Sequence, residues 1–312
     1  MTARKYIPGF DFIRPIAAFS VVWIHGCAGS YWTRELNPLN NYAVPVFIAI
    51  SMFLFTGQSR RSFGEMAGTR FKRLMIPFFI WTIIYLGIRL FKAKFVHEPF
   101  EIDWVQTFLF KGSSYQLWYL PNLFYLMLIF FGILRYPKII PLITIAAAVI
   151  LWFTPVDIRE ADWFTRHIML YFIPSLVSSG IGILYALNYK KMEKHYNRII
   201  IPILCVTAFL AQYFIPHVLT GLLFVAVLFP FLLFQADIKY PFMMQLSKNS
   251  MGIYLIHGVF LEGIKTGMQL VHHPIKGLVL TLGSIIVTYI LSFLVSDMLS
   301  KREVLRKYLM GN

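Results

Sequence analysis

GFDFIRPIAAFSVVWIH, residues 9–25, is an apolar stretch interrupted by three ionisable residues, Asp11, Arg14 and His25. With its flanking residues it reaches the length of about 20 residues that an α-helix needs to cross a bilayer core of roughly 30 Å. Basic residues precede this run, as they precede the apolar core of a signal peptide. The run is longer than such a core, however, and it contains charged residues. We therefore predict a retained first membrane helix.

Similar runs recur along all 312 residues. Hydrophobic residues make up 58% of the chain and charged residues 14%, and the mean hydropathy is +0.66. A soluble domain carries about 25% charged residues. We therefore predict an all-α, polytopic integral membrane protein with about ten transmembrane helices. We place them at 7–29, 42–58, 74–91, 116–134, 139–155, 167–187, 199–215, 218–235, 250–270 and 277–299.

The net charge of +15 comes from basic residues in short segments between the apolar runs. This pattern is typical of membrane topology, and we expect no nucleic-acid partner. With the N-terminus inside, Lys and Arg are roughly twice as frequent on the inner side as on the outer side. This excess predicts that both termini are cytoplasmic. Cys27 and Cys205 are too few for a disulfide framework or a zinc site, and we expect no metal.

Arg14 and His25 are eleven helical steps apart, which leaves them about 20° apart on one face and separated by a rise of about 16 Å. Asp11 lies three residues before Arg14, so the two can pair and lower the cost of placing charges in a membrane. In one interpretation these residues are functional, because ionisable groups inside membrane helices are costly. In the other, Arg14 snorkels, Asp11 caps the helix and His25 lies at the outer interface.

Five blocks of sequence occur in an order that resembles the membrane-bound acyltransferase-3 family. The first is the Arg14, ten residues, His25 pattern. VPVFIAIS resembles the second-helix block, although Met52 stands where the family usually has Gly. RFKRLMIP is similar to the basic loop that enters the third helix, and QLWYL to the aromatic block that opens the fourth. SKNSMGIYLIH resembles the late block that ends in a histidine, here His257.

The resemblance implies an O-acyltransferase that moves an acyl group, mostly acetyl in this family, onto a sugar hydroxyl of a cell-surface glycan. It implies a single transmembrane domain over residues 1–312, and we expect no fused soluble domain. The expected location is the bacterial cytoplasmic (inner) membrane. We expect no permanently bound cofactor, because acetyl-CoA or another acyl-CoA is the donor substrate. The other expected partners are a glycan or lipid-linked sugar and membrane lipid, and a homo-oligomer is compatible with the sequence.

The resemblance also assigns candidate site residues. His25, Arg14 and Asp11 are the candidate catalytic residues, with His25 either the general base or a nucleophile that accepts the acyl group. Cations on the inner side suit the phosphates of acyl-CoA, and the candidates there are Arg14, Arg70, Lys72 and Arg73. The basic cluster could equally serve topology alone. Trp118, Tyr254 and His257 are the candidate substrate-binding residues, with packing as the alternative for His257.

Three alternatives stay open. A secondary transporter or flippase also has about ten helices and a few buried charges, although no inverted repeat is visible. An unrelated membrane acyltransferase acting on protein or lipid fits the order of the blocks less well. Succinyl could replace acetyl as the transferred group.

Overall fold

The computed structural model describes residues 6–57, 62–95, 100–154, 161–215, 217–237, 239–271 and 275–311. Within these ranges the regular structure is helical and contains no strand. The α-helices are α1 Pro8–Gly26, α2 Tyr31–Glu35, α3 Ala43–Thr56, α4 Phe63–Arg70, α5 Ile76–Phe95, α6 Tyr119–Ile133, α7 Ile140–Phe153, α8 Trp163–His167, α9 Ile173–Leu187, α10 Tyr189–Lys194, α11 Ile200–Phe214, α12 Val218–Phe234, α13 Pro241–Leu270, α14 Leu278–Ser300 and α15 Glu303–Met310.

Each of the ten predicted helices coincides with a helix of the structure. In the part of the chain that the structure describes, five continuous helical segments are long and apolar enough to cross a membrane: Pro8–Gly29, Asn37–Thr56, Phe63–Phe95, Trp163–Leu187 and Leu278–Ser300. The shorter apolar segments are Tyr119–Ile133, Pro137–Phe153, Ile200–Phe214 and Val218–Phe234. The predicted all-α membrane class is therefore confirmed, while ten crossings and cytoplasmic termini stay predictions.

Large apolar side chains on the helices face outward. Phe153, Phe214 and Val279 are 78%, 76% and 82% exposed, and other exposed residues of this kind occur along α5, α7, α11 and α14. Soluble proteins rarely expose apolar surface on this scale, whereas lipid chains solvate it without cost. The outer faces of these helices therefore suit a membrane interior.

The described residues divide into two compact units, and the first contains parts of Met1–Ala17, Pro38–Arg61 and Leu126–Lys248. Its central helix, α9, packs on α3 and α7. A Cβ atom at Gly182 would lie 2.1 Å from the carbonyl oxygen of Ala49, so only glycine permits this crossing of α9 and α3. Close approach through small residues is the usual way that membrane helices pack.

The second unit contains parts of Ala18–Asn37, Ser62–Tyr125 and Asn249–Asn312. The indole N–H of Trp81, on α5, donates to the carbonyl of Leu309 at 2.8 Å, which attaches α15 to α5. Gly311 follows α15 with φ +67°, and a Cβ there would lie 1.9 Å from the Arg73 carbonyl. The end of α15 is thus fixed beside the start of α5.

Helix α13 begins at Pro241, nine residues before the predicted start at 250. The added turns contain Gln245, Ser247, Lys248 and Asn249, whose polarity hides them from a hydropathy search. They remain helical because Ser247 and Asn249 form hydrogen bonds through their side chains. Specific polar contacts, rather than lipid exposure, thus hold this end of the helix.

Candidate functional site

In the first unit, Asp11 is the centre of a polar cluster. The Asp11 carboxylate accepts hydrogen bonds from the hydroxyls of Tyr6 and Ser247, both at 2.6 Å. Arg14 lies 3.4 Å from the same carboxylate, so the predicted pairing of Asp11 with Arg14 is present. The hydrogen bond to Asp11 raises the pKa of Tyr6 to about 12 and keeps this phenol protonated at neutral pH. Asp11 therefore holds three groups together and orients Arg14.

In the second unit, His25 lies in the last turn of α1, and aromatic rings surround its half-buried imidazole. The ring of Tyr115 covers it, with centroids 4.2 Å apart. The imidazole of His257 is nearly parallel to it, with an interplanar angle of 17° and centroids 5.5 Å apart. The structure thus brings together two histidines that are more than two hundred residues apart in the sequence.

His257 is fully buried on α13, and its Nδ1 lies 2.6 Å from the carbonyl oxygen of Tyr254. Tyr254 is also buried, and its hydroxyl donates to the carbonyl of Gln116. Tyr254 thereby contacts both the imidazole of His257, through its carbonyl, and the segment that carries Tyr115, through its hydroxyl. Of the three residues predicted to bind substrate, Tyr254 and His257 lie in this cluster, whereas Trp118 is half-buried just before α6.

The segment 111–118 places Tyr115 against His25. Gly112 turns the chain with φ +73°, a conformation that side chains other than glycine disfavour. Ser113 then donates to the carbonyl of Thr82 on α5, and the side chain of Ser114 donates to Gln116 at 2.7 Å. The position of Tyr115 is therefore set by hydrogen bonds rather than by a helix, and sequence analysis missed it as a site residue.

A charged group lies beside the same cluster. Glu262, one and a half turns after His257 on α13, pairs with Lys92 at 2.8 Å and with Lys265 at 3.9 Å. The ammonium of Lys265 also donates to the backbone carbonyl of His25 at 3.4 Å. Two cations thus share one carboxylate, which leaves the surroundings of His25 with an excess of positive charge.

The predicted donor-binding cations lie in the second unit, with Arg70 at the end of α4 and Lys72 and Arg73 between α4 and α5. Lys72 and Arg73 are exposed, and Arg73 also donates to the carbonyl of Gly311 at 3.0 Å. Tyr85, twelve residues further along this helical segment, donates to the carbonyl of Leu255 on α13 at 2.7 Å. Arg73 is therefore about 18 Å along the helix from the level of the histidine pair, and Lys72 and Arg70 lie further away.

The first unit also has an open pocket of about 690 Å³ between α9, α10, α11 and α12. Its walls are mainly apolar, with Lys191 and His195 among the lining residues. None of the predicted site residues lines it. Among the described residues, no three His, Cys, Asp or Glu side chains are grouped as a metal site would require.

A family model described as an acyltransferase domain matches residues 7–297, nearly the whole chain. Among curated proteins, an amino-acid racemase from Enterococcus faecalis is 27% identical over 129 residues. The match covers 39% of this chain and 18% of the racemase, so the chain spans less than a fifth of that relative's length. No solved structure matches.

Proposed function

The chain belongs to the acyltransferase-3 family of membrane acyltransferases, and from this membership we propose that it moves an acetyl group from acetyl-CoA to a sugar hydroxyl. The acceptor in this proposal is a cell-surface or exported polysaccharide, or its lipid-linked precursor. The observation that carries the proposal is the half-buried imidazole of His25, packed against both Tyr115 and His257. A neutral imidazole beside a bound hydroxyl can act as a general base toward it.

The chemistry requires one base and one leaving group. The acceptor oxygen attacks the thioester carbonyl carbon, and its proton passes to a ring nitrogen of His25. The new C–O bond forms while the C–S bond breaks, and the departing CoA thiolate takes the proton from His25. One acetyl ester and one free thiol result, with His25 restored. Of its two predicted roles, the general-base role is the one we propose.

Arg70, Lys72 and Arg73 support the choice of acyl-CoA as the donor. CoA carries three phosphate groups, and guanidinium groups bind phosphates through paired, charge-assisted hydrogen bonds. The rise of about 18 Å along the helix from Arg73 to the level of the histidine pair suits a donor with a long, thin pantetheine arm. We propose that the nucleotide stays at the cations while the arm carries the thioester to His25.

The proposed transfer runs through the membrane. In the predicted topology the cations lie on the cytoplasmic side and His25 lies toward the outer side. An acceptor hydroxyl that reaches His25 from outside belongs to a glycan being assembled or exported there. The excess positive charge near Lys265 also suits acidic glycans.

The test is a comparison of surface glycans. The gene is deleted and then restored as wild type or as His25→Ala, and glycan esters are measured by mass spectrometry and proton NMR. We expect a sugar ester to disappear on deletion, to return with the wild type and to stay absent with His25→Ala. The mass of the lost ester distinguishes acetyl from succinyl. If all glycan esters persist while an acylated protein or lipid disappears, the acceptor class is wrong.

A further inference from the structure

The hydrogen bond at Nδ1 fixes the tautomer of His257. Its partner, the carbonyl of Tyr254, can only accept, so Nδ1 carries the hydrogen in this 2.6 Å contact. In a neutral imidazole the other nitrogen, Nε2, then holds a lone pair. His257 therefore presents a hydrogen-bond acceptor on the side of its ring away from Tyr254.

That acceptor has no hydrogen-bond partner among the described residues, although His257 is fully buried. A buried polar atom without a partner costs about 1–3 kcal/mol, and a catalytic role is one of the few reasons to retain it. Packing alone does not explain an imidazole here, since a carbon at Nε2 would carry no such cost.

The imidazole of His25 is a donor within reach of this lone pair. Two imidazoles joined by an N–H···N bond have centroids about 5 Å apart, close to the 5.5 Å between His25 and His257. The rings are nearly parallel, so the bond forms once the His25 ring turns to direct one of its nitrogens at Nε2 of His257. Catalytic hydrogen bonds are often long before substrate binds and tighten in the complex.

We propose that His257 is a positioning residue whose Nε2 accepts a hydrogen bond from the ring N–H of His25. The inference rests on the proposed function, in which His25 is the base. The hydrogen bond directs the other nitrogen of His25, with its lone pair, toward the acceptor hydroxyl. It also stabilises the positive charge that His25 gains in the transition state, the task that a third group performs in other base-dependent acyl transfers.

Two amide substitutions separate this role from packing. Gln at position 257 places its amide near the site of Nε2, so its oxygen can accept from His25. Asn places its amide near the site of Nδ1, so it keeps the bond to Tyr254 and loses the acceptor. We expect His257→Gln to keep kcat within about tenfold of wild type and His257→Asn to lose about a hundredfold, with the KM for acetyl-CoA unchanged. Equal losses, or a more active Asn variant, overturn the inference.

A second measurement does not depend on transferase activity. Diethyl pyrocarbonate acylates the free nitrogen of histidines, and peptide mass spectrometry follows each histidine separately. We expect His25 to react at similar rates in wild type and His257→Gln and several-fold more slowly in His257→Asn, with exposed His195 as an internal control. Equal rates at His25 in all three proteins overturn the inference. If these rates differ as expected while the wild type acetylates no glycan, the proposed function is wrong. The hydrogen bond between His25 and His257 is then still supported.

Discussion

Ser247 donates a 2.6 Å hydrogen bond to the carboxylate of Asp11, which ties the first helix of the chain to the long helix α13. The same carboxylate also receives Tyr6 and lies beside Arg14. Asp11 is a candidate catalytic residue because of its spacing from Arg14, but these contacts give it a structural task in the first unit. A structural role predicts that replacing Asp11 lowers the stability of the protein, whereas a catalytic role predicts that it lowers acyl transfer alone.

We expect Ser247→Ala to destabilise the protein by about 0.5–1.5 kcal/mol, because one hydrogen bond between helices is lost. Asp11→Ala should cost roughly two to three times as much, since its contacts with Tyr6, Ser247 and Arg14 are all lost together. Thermal melting in detergent measures both. A Ser247→Ala variant as unstable as Asp11→Ala would show that the carboxylate does not organise the cluster.

His25→Ala should abolish acyl transfer while the protein still accumulates in the membrane. Loss of a general base costs at least 10²–10⁴-fold in rate, and no neighbouring side chain can replace the imidazole at the same position. His195→Ala, which removes an exposed histidine in the first unit, is the control and should remain active. Retention of more than about a tenth of wild-type activity by His25→Ala would exclude the general-base role.

Loss of a proposed donor-binding cation should weaken the use of acyl-CoA and leave the use of the acceptor nearly unchanged. Arg14→Ala, Arg70→Ala, Lys72→Ala and Arg73→Ala are each expected to raise the apparent constant for acyl-CoA several-fold and leave that for the acceptor nearly unchanged. Lys72 is the clearest case, because Arg73 also holds the carbonyl of Gly311 and its loss will lower stability. Lys194→Ala is the matched control. Unchanged acyl-CoA constants in all four variants would move the donor site elsewhere.

Reporter fusions test the topology. We expect fusions after Thr2 and after Met310 both to report the cytoplasm, because the excess of Lys and Arg alternates consistently with ten crossings. Fusions in the connections at 34 and 111 should report the outer side. Opposite results at the two ends would mean an odd number of crossings.

Much of the fold could be predicted because a bilayer imposes a simple rule on sequence. Each crossing needs about 20 apolar residues, so the apolar runs marked where the main helices of the described residues lie. This rule does not predict helical turns that are stabilised by polar contacts. The first turns of α13 are of this kind, so the predicted helix begins too late. Short elements such as α2, α10 and α15 were also missed, since periodicity is weak evidence over so few residues.

The candidate site was only partly predictable. Arg14 and His25 stood out because ionisable residues are rare in membrane helices, and the paired Asp11 followed from its spacing. The contact between His25 and His257 depends on which helix faces pack together, and no pattern within one helix reports that. Tyr115 was missed because it lies in a turn whose shape comes from Gly112 and from hydrogen bonds to distant backbone groups.

The backbone of α13 beside His257 offers the last test. A Cβ at Gly258 would lie 2.5 Å from Nε2 of Gln116 and 2.7 Å from the hydroxyl of Tyr85. Gln116 is fully buried and Tyr85 is 2% exposed, so neither side chain has room to move away. Gly258→Ala should therefore break the bond from Tyr85 to Leu255 and disturb the segment that carries Tyr115.

We expect Gly258→Ala to reduce transfer at least tenfold and to lower the melting temperature, because both effects come from one overpacked contact. Gly263→Ala is the matched control, since it lies on the same helix with open space around the added methyl group. Alanine favours helix over glycine by up to about 1 kcal/mol, so Gly263→Ala should be neutral or slightly stabilising. If the two variants behave alike, the close packing of α13 against Tyr85 and Gln116 is not needed to hold His257 and Tyr115 around His25.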